Sequence, residues 1–288
     1  DQNPNEELLK GKLELIATTN QNYFYQDAAG NYWRLYNYIP GECYEMIDDP
    51  IKAYKAGKAF GKYQELLSDL PSGQLIETIP DFHNMKTRYR DFNTAVGKDA
   101  FSRAEAVKGE IAFIRAHIDE MIAMQDLIDA GKIPVRITHN DTKINNILFD
   151  KNGIPLCIID LDTVMPGSVL YDFGDAIRTA ANTVTEEELD LTQVSLDMKI
   201  FDAYTKGYLE TTRPFLVKEE IENLALAAKY ITFIMGLRFL TGYLEGDNYH
   251  KSHYPGQNAH RARVQFKLVE SMDAKYSEMK KIISGYAS

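Results

Sequence analysis

Cysteine is almost absent from this 288-residue chain: only Cys43 and Cys157 occur, far apart. That excludes a disulfide framework and a cysteine-rich zinc site. Positive charge is also scarce, with 32 Lys and Arg against 42 Asp and Glu and a net charge of −10. A nucleic-acid binder that grips phosphates by bulk charge is therefore excluded. An anionic ligand must be held by a few placed cations, by backbone N–H groups or by a metal. No repeat, low-complexity tract, flexible linker or signal peptide is visible in the sequence as it stands, and a cytoplasmic location is expected. The chain opens Asp1-Gln2-Asn3-Pro4 without an initiator Met, so its true N-terminus is expected upstream. The most apolar run, residues 231–240, contains Arg238 and follows Glu222 and Lys229. It reads as a buried helix, not a membrane span.

What is present is the composition of a globular protein, 44% hydrophobic and 26% charged. The length allows one large domain or two unequal lobes. Strand formers at 13–18 and 23–26, the turn Asp27-Ala28-Ala29-Gly30-Asn31 and the alternating aromatic run 32–39 predict up to three strands. Helical periodicity follows over 51–70 and 104–128. Pro80 and Gly97 break two short segments between them. Short strands are predicted at 134–138, 147–149 and 154–159. From Tyr171 the chain reads as helical, with a capping-box start at Thr185-Glu186-Glu187-Glu188 and long helices over 219–246 and 259–283. The fold class is α+β, with a β-rich piece over 1–40 and a mostly helical body over 41–288.

The chemistry concentrates in Thr138-His139-Asn140-Asp141-Thr142-Lys143-Ile144-Asn145-Asn146, a His-x-Asp-x-x-x-x-Asn pattern between two apolar runs. Nineteen residues after Asp141, Asp160 ends an apolar strand pattern. Phosphoryl transfer needs a carboxylate to orient the attacking hydroxyl, and Asp141 suits it. It needs oxygen ligands for Mg²⁺ beside the phosphates of ATP, which Asn146 and Asp160 supply. Lys143 is placed to neutralise phosphoryl charge. Asp162 stays open between a second metal contact and an exposed carboxylate. The tripeptide Asp172-Phe173-Gly174 follows no buried strand, so Asp160 is preferred as the metal ligand. The stretch 56–63, Ala-Gly-Lys-Ala-Phe-Gly-Lys-Tyr, lacks the first Gly and the last Ser/Thr of a phosphate loop and reads as close helix packing at Gly57 and Gly61.

These residues resemble the catalytic loop of the protein-kinase-like fold, in particular the aminoglycoside phosphotransferase and choline kinase superfamily. With 161–167, 171–178 and 236–269 they resemble the N-acetylhexosamine 1-kinases. The resemblance implies a small nucleotide lobe before a large helical lobe, with Mg²⁺ and ATP used to phosphorylate the anomeric hydroxyl of a sugar. It implies a hinge at Tyr36, Asn37, Tyr38 and Ile39, and support of the catalytic loop by His139 and Asp172. It implies an acceptor site with Arg238 and Tyr249, to which Asp247 is added as an acceptor for sugar hydroxyls. Arg238 stays open between this role and a structural pair with Asp172 or Asp175. The loop histidines His250, His253 and His260 read as solvated, and Asn258, Arg261 and Arg263 as structural. No glycine-rich loop precedes Asn37, and Lys10 and Lys12 have no strand context. The upstream part of the nucleotide lobe is therefore expected outside this chain. Two alternatives accompany the sugar-kinase reading: a kinase for an aminoglycoside, choline or another amino alcohol, and a non-catalytic sugar-binding protein. No membrane partner is expected, and the oligomeric state is left open.

Overall fold

The computed structural model describes residues 8–287; the opening Asp1-Gln2-Asn3-Pro4 lies outside the described residues. Strands β1 (Tyr25–Gln26) and β2 (Tyr32–Trp33) pair antiparallel. Asp27 builds the turn between them by accepting from Ala29 N, Asn31 N and Trp33 Nε1. The predicted strands are longer than those found. Beyond the hairpin Leu15 bridges Tyr36, with Ile16 N donating to Leu35 O at 2.8 Å and Asn37 N to Glu14 O at 3.1 Å, and the Asn37 side chain adds two further bonds. Asn37 Oδ1 accepts from Glu14 N at 2.7 Å, and its Nδ2 donates to Lys12 O at 2.9 Å. The chain before this bridge lies against the middle of the fold, where Gly11 N donates to Leu156 O at 2.8 Å.

The helical body starts at α1 (Pro50–Leu67), with Asp49 capping Ile51 N and Pro at the first turn, where its missing N–H costs nothing. Asn84 caps α2 (Met85–Lys98), which runs through Gly97 instead of breaking there. Next comes α3 (Lys108–Asp129). Two small sheets follow. β3 (Arg136–Thr138) pairs with β6 (Met165–Gly167), and β4 (Ile147–Phe149) pairs with β5 (Pro155–Ile158), both antiparallel. The remaining helices are α4 (Val169–Ala180), α5 (Met198–Thr212), α6 (Lys218–Glu222), α7 (Leu224–Leu244) and α8 (Gln257–Ala287).

Two contacts fix the body. The 56–63 stretch is a helix interior, and α1 packs on α5 at backbone distance. A Cβ on Gly57 would sit 2.2 Å from Tyr204 O, and one on Gly207 would sit 2.1 Å from Tyr54 O. Elsewhere α7 forms the centre, against α4 and α8, with Tyr230, Phe233, Ile234, Leu237 and Leu240 all 0% exposed. It is apolar and long enough to cross a membrane, and 78% of its most apolar window is buried within the fold. The two-part α+β architecture matches the expectation from sequence.

The helix predicted from Thr185 does not form. Residues 181–190 are irregular, and the next long helix is α5, capped by Asp197. The acidic run is drawn to cations instead. Glu186 pairs with Arg178 at 3.4 Å, Glu187 pairs with Arg261, and Glu188 O accepts from His260. Helix propensity was outweighed by these tertiary partners.

Candidate active site

The loop after β3 is held from both sides. Asn140 adopts a left-handed backbone (φ 64°), which turns the chain so that consecutive N–H groups face one acceptor. That acceptor is Asp172 on α4: its carboxylate accepts from His139 N at 2.9 Å and Asn140 N at 2.7 Å, and from Gln64 Nε2 on α1. Burial pushes the Asp172 carboxyl up to about 6, against the pull of His139 and these N–H donors. The Thr142 hydroxyl also donates to Asp172 O. His139 is buried and ties the loop to the residue after β5: Ile159 O lies 2.9 Å from its Nε2, and Asp141 N donates to its Nδ1 at 3.3 Å. A carbonyl can only accept, so Nε2 carries the proton.

Asp141 is set by this frame. Asn146 Nδ2 donates to Asp141 O at 2.7 Å and to Oδ2 at 3.2 Å. Lys143 Nζ lies 3.2 Å from Asp141 Oδ2. Burial raises the Asp141 carboxyl, and Asp175 adds to this, while Lys143 opposes it. Burial alone would lower Lys143, but Asp141 and Asp175 outweigh it and hold its ammonium above the ordinary range. The result is a desolvated carboxylate with a cation at its side, a suitable acceptor for a hydroxyl proton.

Asn146 spends its amide N–H on Asp141, and among the described residues its Oδ1 receives no hydrogen bond. Ile159 N donates to Asn146 O at 3.0 Å, which brings Asp160 beside Asn146 at the end of the β4–β5 hairpin. Asp160 has φ 59°, two residues past β5, and its carboxylate has no hydrogen bond among the described residues. Two hard oxygen donors without other partners fit Mg²⁺. No group of three His, Cys, Asp or Glu converges among the described residues, so such an ion would complete its shell with phosphate and water.

Asp162 is a correction. The strand pattern placed it on the same face as Asp160, but β5 ends at Ile158 and residues 161–163 form a 3₁₀ turn. Its carboxylate pairs with Arg34 from β2's flank and is 60% exposed. We remove it from the metal set.

The acceptor candidates separate as well. A cavity of about 370 Å³ opens beside Asp141 and Lys143 and is closed by Arg238, Tyr249 and His250. The Arg238 guanidinium stacks over Phe82 at 4.7 Å and donates to Tyr249 Oη at 3.3 Å. It has no carboxylate partner among the described residues. Asp172 is taken up by the catalytic loop, and Asp175 by Arg178 at 2.8 Å. The structural ion pair is thereby excluded. Burial, then Arg88, lowers the Arg238 pKa.

Asp247 is a second correction. Arg103 lies 2.7 Å from Oδ2, Asn258 donates to Oδ1 at 2.9 Å, and the side chain is 11% exposed. It ties the loop after α7 to α8 and does not line the cavity. His250 is a third. It packs on Phe239 at 4.7 Å and Tyr249 at 4.8 Å, and burial, then Arg238 and Arg261, lower its imidazole to about 4. Arg261, read as structural, also lines the cavity.

Sequence reasoning gave no role to His83, whose Nε2 donates to Asn140 O at 2.8 Å, or to the Asp175–Arg178 pair. The i,i+3 spacing of the latter on a helix was the available signal.

Comparison with known proteins bears on the fold and the family. The phosphotransferase enzyme family, APH, matches residues 15–213. An aminoglycoside phosphotransferase from Alicyclobacillus acidocaldarius superposes with a TM-score of 0.61 at 13% identity, covering 95% of this chain and 78% of that one. A spectinomycin phosphotransferase in complex with ADP and spectinomycin gives 0.55 at 14%, covering 93% and 78%. A Plasmodium vivax ethanolamine kinase gives 0.55 at 17%, covering 88% and 68%. With a protein-kinase-like fold and a family match spanning more than half its length, the chain belongs to the APH phosphotransferase enzyme family.

Proposed function

We propose that the protein transfers the γ-phosphoryl group of ATP to the anomeric hydroxyl of an N-acetylhexosamine. Asp141 takes the hydroxyl proton as the oxygen attacks the γ-phosphorus; the bond to the bridging oxygen breaks, and ADP leaves. Lys143 offsets charge on the transferring group. Asn146 and Asp160 are the residues that would hold Mg²⁺, whose chemistry is to neutralise phosphate charge.

The observation that carries the acceptor class is the charge of the cavity. Lys143, Arg178, Arg238, Lys251 and Arg261 line it against Asp141, Asp175 and Glu186, five cations to three carboxylates. Glu187 pairs with Arg261, and Arg238 is largely desolvated with no ion-pair partner among the described residues. An ammonium-bearing acceptor such as an aminoglycoside, choline or ethanolamine would meet that guanidinium at high cost. Carbonyl and hydroxyl oxygens of a neutral N-acetyl sugar would satisfy its donors.

The test is ADP release in the presence of Mg²⁺–ATP across a panel of acceptors. Turnover should be highest with N-acetylglucosamine or N-acetylgalactosamine, and Asp141→Asn should abolish most of it with little loss of stability. Preference for choline, ethanolamine or an aminoglycoside would overturn the acceptor class; unchanged turnover in Asp141→Asn would overturn the role of the base.

A further inference from the structure

A second cavity, of about 350 Å³, adjoins the first. Lys143, Arg178 and Glu186 line both, so side chains stand between the two. Arg178 is the fixed part of that partition, 3% exposed and paired with Asp175 at 2.8 Å, and Glu186 is its movable part. Arg178 and Glu186 are 3.4 Å apart, and the Glu186 side chain is 39% exposed on the irregular 181–190 segment.

The two cavities differ in chemistry. The first presents guanidinium groups. The second combines neutral hydrogen-bonding groups, Asn145, Asn182, Thr185 and Gln265, with the carboxylates of Glu45, Glu186 and Glu187. Gln265 is only 1% exposed, and its Oε1 has no hydrogen-bond partner; Asn145 Oδ1 is likewise buried and unpartnered. A buried amide without partners costs about 1–3 kcal/mol, and the neighbouring Val264, Phe266 and Leu268 on α8 are apolar. Nothing in the packing of α8 calls for an amide at this position. The cations on this wall do not make an anion site, because Lys143 is matched by Asp141, and Arg178 by Asp175 and Glu186.

From these features we propose that the second cavity is a further sugar subsite, resting on the N-acetylhexosamine reading above. The acceptor is then a disaccharide, with its reducing-end ring beside Asp141 and its second pyranose ring beyond the Arg178–Glu186 pair. Each cavity lies near the lower end of the ~300–1,000 Å³ typical of small-molecule sites, which suits one ring in each. Ring hydroxyls both donate and accept, as do the amides and hydroxyl that face this space. The anomeric hydroxyl of the first ring must stay free for phosphorylation, so the second ring is joined through another of its hydroxyls.

Titration calorimetry tests this with N-acetylglucosamine, N-acetylgalactosamine and disaccharides carrying either at the reducing end in 1→3, 1→4 and 1→6 linkage. At least one disaccharide should bind about tenfold or more tightly than its monosaccharide, equivalent to ~1.4 kcal/mol. Thr185→Trp, at an exposed position that fills the second cavity, should remove that gain and leave monosaccharide affinity within about twofold. Gln265→Leu should reduce the gain in the same sense. Monosaccharide binding with no gain for any disaccharide, or a gain that survives Thr185→Trp, overturns the subsite alone. Failure of both mono- and disaccharides to bind overturns the N-acetylhexosamine reading and the subsite with it.

Discussion

Replacing Asp172 with Asn keeps the shape of the side chain and removes its charge, and two opposing effects then decide the outcome. Burial holds the Asp172 carboxyl up at about 6, against an ordinary 3.8. Keeping it ionised at neutral pH thus costs about 3 kcal/mol, which Asn relieves. Against that, Asn offers one acceptor oxygen where the carboxylate offers two. Either His139 N or Asn140 N, now bonded at 2.9 and 2.7 Å, must face an amide NH₂. An orphaned buried donor costs about 1–3 kcal/mol, and each surviving bond loses charge assistance worth roughly 1 kcal/mol. With two surviving bonds the net global loss is about 0–2 kcal/mol, a fall of at most a few degrees in Tm for a chain of this size. The local effect is larger, because the orphaned group lies in the segment that sets Asp141. Hydrogen exchange followed by mass spectrometry should show the 138–146 loop exchanging about 10–100-fold faster, with α7 nearly unchanged. Unchanged exchange in the loop, or a Tm fall so large that every segment opens together, would refute the idea that Asp172 acts as a local brace.

Arg238→Ala should raise the KM for the sugar about tenfold and leave the KM for ATP nearly unchanged, an effect of ~1.4 kcal/mol on acceptor binding alone; a shift confined to ATP would place the acceptor on the wrong side of the loop. Gly57→Ala should destabilise by about 3 kcal/mol in denaturant titration, since its Cβ would press on a backbone carbonyl. Gly97→Ala, with open space around it, should instead stabilise by about 0.5 kcal/mol or more. His83 supplies a pH signature. Burial, then Arg238, lowers its imidazole to about 4 from 6.5. Between those values the unfolded chain binds a proton that the folded one refuses. Its contribution is present in full above pH 6.5 and is lost as pH falls toward 4, about 3 kcal/mol in all. Asp172 works oppositely over its own range, so the comparison is with His83→Gln, whose stability should fall less than that of the parent between pH 6.5 and 4.5; parallel pH profiles would disprove the assignment.

The long helices were legible because their apolar spacing repeats over many turns: α1, α3, α7 and α8 lie close to where periodicity puts them. The β3–β6 pairing was not, since three-residue strands carry too little alternation to specify a partner. Around the catalytic loop, His139, Asp141, Lys143, Asn146 and Asp172 were legible by local spacing and resemblance, and the structure brings them together. What spacing cannot show is who else competes for a side chain. Asp162 stood open between a metal contact and an exposed carboxylate, and Arg34 pairs with it; Asp247 stood as a sugar ligand or a helix end, and Arg103 and Asn258 occupy it. His250 was misread for the related reason that a loop next to a cavity can be buried by aromatic neighbours far from it in sequence.

The near-contact of α1 and α5 has a mechanical consequence. Two helices that meet backbone to backbone cannot be compressed further, and α1 also carries Gln64 to Asp172. The scaffold therefore transmits load from α5 through α1 to the loop bearing Asp141 without slack. On the proposed function, acceptors of different outline would then be accommodated by rotation of long side chains such as Arg238, Glu186 and Tyr249, while Asp141 keeps a fixed position. Selectivity can drift through those rotors during evolution without retuning the phosphoryl-transfer geometry.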